Sequence, residues 1–114
     1  MRALAKFFAS QQDITMSKSI DKTNILNYLK EHYSEFKNKY NVEQIGLFGS
    51  YGRDEPTENS DIDIFVKMKP SLFDMVAIKE QIENDLDRKV DIIREHKNIK
   101  PIFLKMIQKD LIYA

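Results

Sequence analysis

The sequence predicts an α/β fold, a small mixed β-sheet flanked by helices, and three observations carry that prediction. Apolar residues recur at steps of three and four over residues 21–40, 75–86 and 99–107, as one face of a helix requires. Short runs rich in Ile, Val and Phe alternate with those helices, the pattern of helices layered on a sheet. The link between the first two such runs is shorter than the dozen or more residues of an ordinary parallel crossover, so the sheet should be mixed.

Taken in order, Ile25, Leu29, Tyr33, Phe36 and Tyr40 line one side of a first helix, and Asn41 can stop it. Val42–Phe48 reads as a strand through Ile45, Leu47 and Phe48. Gly49-Ser50-Tyr51-Gly52-Arg53 breaks that pattern and can open a short helix, followed by a polar turn holding Pro56. In the next strand, residues 60–68, Ile62, Ile64 and Val66 fall on one face while Asp61 and Asp63 fall on the other. Ser71 with Asp74 resembles a capping box ahead of the stripe Met75, Ile78, Ile82 and Leu86. Residues 88–94 form a third strand, with Asp91 between Val90 and Ile92. Pro101 suits the first turn of a last helix. Ile99, Ile102, Phe103, Met106 and Ile107 follow the spacing of a buried face, and residues 111–113 read as a short extended tail. Residues 1–18 read as an N-terminal extension and 19–114 as one domain.

With 114 residues there is room for one modest core. Lys+Arg and Asp+Glu balance at 18 each, so net charge gives no case for binding nucleic acid or a membrane. No apolar run approaches the roughly 18 residues needed to span a bilayer. The absence of cysteine excludes disulfides and thiolate metal sites, and fits a reducing cytoplasmic setting. The charges are unevenly placed: residues 41–95 carry 13 acidic and 7 basic groups, whereas 96–114 carry 4 basic and 1 acidic. An acidic middle suits a cation, although a solvated acidic face has the same composition.

Three local signals carry the chemistry. Asp61 and Asp63, two apart on a strand, project from one face roughly 7 Å apart. Such a pair favours a hard divalent cation such as Mg²⁺, which takes oxygen ligands and often shares them with phosphates. Gly49-Ser50 after a strand lets backbone N–H groups approach an anion. Asp91, isolated in an apolar strand, can complete a metal site or act as a base. Each alone has a plain structural explanation: exposed aspartates, a common turn, an edge position. His32 and His96 read as packed or surface residues, and Tyr51 as a side chain that covers the site or touches a nucleotide.

Together, the spacing Gly49-Ser50, ten residues, Asp61-Ile62-Asp63, with Arg53 inside it and Asp91 downstream, resembles the polymerase-β-like nucleotidyltransferase superfamily. Within it, LFGSYGRDEP, SDIDIFV and KVDII look like the minimal nucleotidyltransferase (MNT) family, the antitoxin half of HEPN/MNT toxin–antitoxin systems. The resemblance implies that Gly49, Ser50 and Arg53 contact the nucleotide and that Asp61, Asp63 and Asp91 hold Mg²⁺ and act in catalysis. It implies ATP as substrate and, as partner, a helical HEPN-domain RNase toxin that receives AMP on a tyrosine. Gly52 stands where the family often has alanine. Two other readings stay open: an antitoxin that acts only by binding, and transfer to a small hydroxylated molecule such as an aminoglycoside.

Overall fold

The computed structural model describes residues 20–114, so the 1–18 extension expected from the sequence lies outside the described residues. The elements are α1 (Lys22–Tyr40), β1 (Val42–Phe48), α2 (Gly49–Gly52), β2 (Ile62–Met68), α3 (Leu72–Leu86), β3 (Val90–Arg94), α4 (Pro101–Asp110) and β4 (Ile112–Tyr113). Their ends follow from local chemistry. Asp21 caps α1 by accepting from the Asn24 N–H at 2.8 Å, and the Asn24 side chain accepts from the Asp21 N–H in return. Asn41 closes that helix in the left-handed conformation at φ 57°, a geometry asparagine tolerates. Ser71 caps α3 through the Asp74 N–H, and Pro101 opens α4.

The sheet has the order β3-β2-β1-β4 and is mixed, as the short β1–β2 connection requires: β1 runs antiparallel to β2 and β4, and β2 runs parallel to β3. The extended tail at 111–113 is therefore a strand, closing one edge by pairing Gly46 with Tyr113 and Leu47 with Ile112. The start of β3 is held from the side: the Val90 N–H donates to the Glu83 carboxylate of α3 at 2.9 Å.

The two faces of the sheet have different fates. Alternate residues Ile45, Leu47, Ile62, Ile64 and Val66 face α1 and α3, where they pack on Ile25, Leu29, Phe36, Ile78 and Ile82, all of them fully buried. Tyr28 ties the two helices together by donating its hydroxyl to Asp85 at 2.7 Å. Burial and the Asp85 charge push the Tyr28 phenol well above its ordinary range, so it stays a donor. The opposite face carries a smaller cluster, Phe48, Phe65 and Ile107, covered by α4.

The apolar face expected for residues 99–107 divides in two. Ile107 is buried and Ile99 and Leu104 pack beside it, whereas Ile102 and Met106 stand 72% and 65% exposed and Phe103 is also exposed. The spacing identifies apolar positions but not what covers them, and a ten-residue helix resting on one small cluster can bury only one side. Among the described residues no helix is long and apolar enough to cross a membrane.

Candidate active site

The open face of the sheet is where the aspartates meet. Asp63 follows Ile62 and precedes Ile64 on β2, so its side chain leaves the core and emerges beside Phe65. The parallel pairing of β2 with β3 sets Asp63 opposite Asp91, on neighbouring strands about 4.8 Å apart. On the other flank Asp63 pairs with Phe48, the last residue of β1. Asp61 lies just ahead of the strand and is exposed, as is Asp91; Asp63 is half-buried between them.

The electrostatics follow from that crowding. The Asp63 carboxyl is pushed up to about 6, first by burial, then by the charges of Asp91 and Asp61, with Arg53 opposing the rise. Both neighbours thus act on Asp63 as like charges, and a cation placed among them would remove the repulsion. The donor set is oxygen only, which suits Mg²⁺ and excludes soft metals. Among the described residues no three His, Asp or Glu side chains close around one point as a ready-made cage. That is the arrangement magnesium commonly accepts, with one or two carboxylates from the protein and further oxygens from phosphate and water.

The glycine loop abuts this cluster. Gly49 has φ +72°, and a Cβ built there would collide with the Asp63 carboxylate. Only glycine lets the backbone turn at this point and press against the aspartate. The loop continues as the single turn α2, with Arg53, Asp54 and Glu55 N–H groups donating to the carbonyls of Gly49, Tyr51 and Ser50. Ser50, half-buried, follows Gly49 directly at the start of this turn.

Tyr51 is 4% exposed and packs in the main core, so it supports the loop from behind rather than reaching a nucleotide. His32 donates from Nδ1 to the Tyr28 carbonyl and stacks on the Tyr28 ring, and His96 accepts from the Asn98 N–H; neither belongs to the site.

Arg53 has a partner that local sequence gives no hint of. Its guanidinium donates to Asp110 at the end of α4, 57 residues away, at 2.9 Å. Gly52 belongs to the same junction, because a Cβ there would stand 2.8 Å from the Asp110 carbonyl oxygen. Gly52 is thus a point of close contact between the loop and α4. Two open clefts, of about 670 and 560 Å³, lie elsewhere: one is lined by Tyr33, Lys37 and Lys69, the other by Tyr51, Pro56 and Arg88. Neither is lined by Asp61, Asp63 or Asp91.

A carboxylate cluster on a mixed sheet, edged by a glycine–serine turn, defines a phosphoryl-transfer domain of the nucleotidyltransferase class. Comparison of families matches residues 24–114 to the polymerase beta nucleotidyltransferase domain, and the chain belongs to that family. A relative from Methanocaldococcus jannaschii, provisionally named protein adenylyltransferase MJ0126, is 40% identical over 93 residues, covering 80% of this chain and 95% of its own. The protein adenylyltransferase MntA of Thermococcus cleftensis is 33% identical over 92 residues, covering 79% and 92%. The fold is shared with a chain from the solved complex of tri-AMPylated Shewanella oneidensis HEPN toxin with MNT antitoxin. There the TM-score is 0.57 at 18% identity, over 81% of this chain and 70% of that one. A toxin–antitoxin crystal structure with AMP-PNP gives a TM-score of 0.58 at 21% identity, over 82% and 72%.

Proposed function

We propose that this nucleotidyltransferase moves AMP from ATP to a tyrosine hydroxyl of a partner HEPN-domain RNase toxin, and that it acts in the cytoplasm as the antitoxin. The observation that carries the proposal is the abutment of Gly49 on Asp63, with Asp91 in register beside it. It sets a turn able to lie along a triphosphate against a cation-binding cluster. In this reading Asp61 and Asp63 hold Mg²⁺, which when bound offsets the charge of the triphosphate and of the departing pyrophosphate.

The chain's own residues supply position and protonation. Gly49 and Ser50 lie along the phosphates, with N–H and hydroxyl donors on the nonbridging oxygens. Arg53, anchored by Asp110, fixes the loop and leaves positive charge near the same oxygens. Asp91 receives the proton of the tyrosine hydroxyl as the new O–P bond forms at the α-phosphorus. The bond between that phosphorus and the bridging oxygen to the β-phosphate breaks, and pyrophosphate leaves.

The names of the two relatives support protein as acceptor. Action by binding alone would leave unexplained a half-buried Asp63, its carboxyl raised to about 6 by burial and then by the charges of Asp91 and Asp61.

The test is incubation with α-³²P-ATP and Mg²⁺, with and without a purified HEPN-domain protein from the same organism, followed by a denaturing gel. Label on the partner that disappears with Asp63→Asn is the expected result. Partner binding without label under any condition would replace this reading with antitoxin action by occlusion.

A further inference from the structure

Among the described residues, two exposed apolar patches remain after the core and the site are accounted for. One is Leu72, Phe73 and Val76 at the start of α3; the other is Ile102, Phe103 and Met106 on α4. They differ in where they lie. Helix α3 packs with α1 on the closed face of the sheet, away from the aspartates. Helix α4 packs on Phe48 and Phe65, and Phe65 is two residues from Asp63 on the same face of β2.

The α4 patch also points toward the chemistry. Ile102, Met106 and Asp110 are spaced four apart and so form one line along the helix. That line ends at the carboxylate that holds Arg53 beside the glycine loop. Its borders are basic, with Lys100 just before the helix and Lys105 and Lys109 on it, while the helix rests on Phe65, two residues from Asp63.

We propose that the acceptor protein docks on this α4 stripe. The inference rests on the reading of the chain as a protein-modifying nucleotidyltransferase. A partner with an apolar patch and an acidic rim fits here: the lysines attract the rim, and the aspartates repel it wherever cation and nucleotide do not screen them. The acceptor hydroxyl then comes from a segment of the partner that overhangs the end of α4 nearest Arg53. A sugar-like acceptor has no use for exposed Ile, Phe and Met, whereas a protein interface core is built from such residues.

The test compares Ile102→Ser/Met106→Ser with Leu72→Ser/Phe73→Ser. All four side chains are largely exposed, so both variants should fold as the parent does. The probes are a HEPN-domain protein from the same organism and a fluorescent ATP analogue with Mg²⁺. For the α4 pair we expect loss of co-purification with the partner and a KM for partner raised at least tenfold, with kcat and analogue binding within threefold of the parent. The α3 pair should behave as the parent. Unchanged partner binding in the α4 pair, or a loss confined to the α3 pair, overturns the proposal. So does sedimentation showing that the stripe joins two copies of this chain, with transfer intact in the α4 pair. Should no protein become labelled, complex formation still decides. Partner bound by the parent and lost only in the α4 pair upholds the docking surface while the transfer reading falls; no partner bound by the parent overturns the docking surface as well.

Discussion

The two faces of the same sheet obey opposite rules. On the closed face Ile45 and Leu47 of β1 and Ile62, Ile64 and Val66 of β2 are fully buried and matched by α1 or α3. On the open face the same two strands place Phe48, Asp63 and Phe65 under the partial cover of one short helix. The closed face has close packing and no buried charge; the open face keeps like charges beside one another. Stability therefore resides on one side and reactivity on the other, and a four-stranded sheet is thin enough for one strand, β2, to serve both.

Substitutions can separate the two. The largest effect belongs to the closed face: Phe36→Ala removes a fully buried ring and should cost about 3–5 kcal/mol, read as a lower urea midpoint, with activity lost only as the fold is lost. Gly49→Ala comes next. It places a Cβ at positive φ against Asp63, so it should cost more than about 1 kcal/mol and abolish transfer even at temperatures where circular dichroism shows the fold intact.

Asp63→Asn should act in the other direction. The folded protein raises this carboxyl to about 6 from an ordinary value of 3.8, so the native state binds the proton more tightly than the unfolded chain. Stability in the absence of cation then falls as pH climbs from about 4 to about 6 and stays lower above that. Asparagine removes this loss. Above pH 7 we expect a gain on the order of 1 kcal/mol, discounted for solvent around the half-buried group, or about 4–8 °C in Tm. Added Mg²⁺ should raise the Tm of the parent and leave the variant nearly unmoved. The smallest change is Arg53→Ala. Its pair with Asp110 is half-exposed and should contribute about 0.2–1 kcal/mol, while transfer should slow because the loop loses its anchor on α4.

The closed face was legible in the sequence because its information is local. Period 3.6 in α1 and α3 and period 2 in β2 mark the buried positions directly, and the same alternation sends Asp63 to the opposite side. Asp91 needed only its oddity in an apolar strand and the family spacing. The rest depends on contacts that no local pattern encodes. The partner of Arg53 is 57 residues away, and the reason for Gly52 is the carbonyl of that same distant residue. The pairing of β4 with β1 involves two residues, too few for a periodic signal. In α4 the expected buried face mixed two sides of one helix, because spacing reports polarity and not the presence of a covering surface.

The side-chain bond from Glu83 to the Val90 N–H has a further consequence. It indexes where β3 begins, and hence which residue lies opposite Asp63. A slip of one position along β2 would turn Asp91 into the apolar layer and bring Val90 or Ile92 out in its place. Misaligned chains would then carry a charge where none can be solvated, and they would fail to fold rather than persist as folded but inert copies. The register that sets Asp91 opposite Asp63 and the completion of the apolar layer are in this way linked.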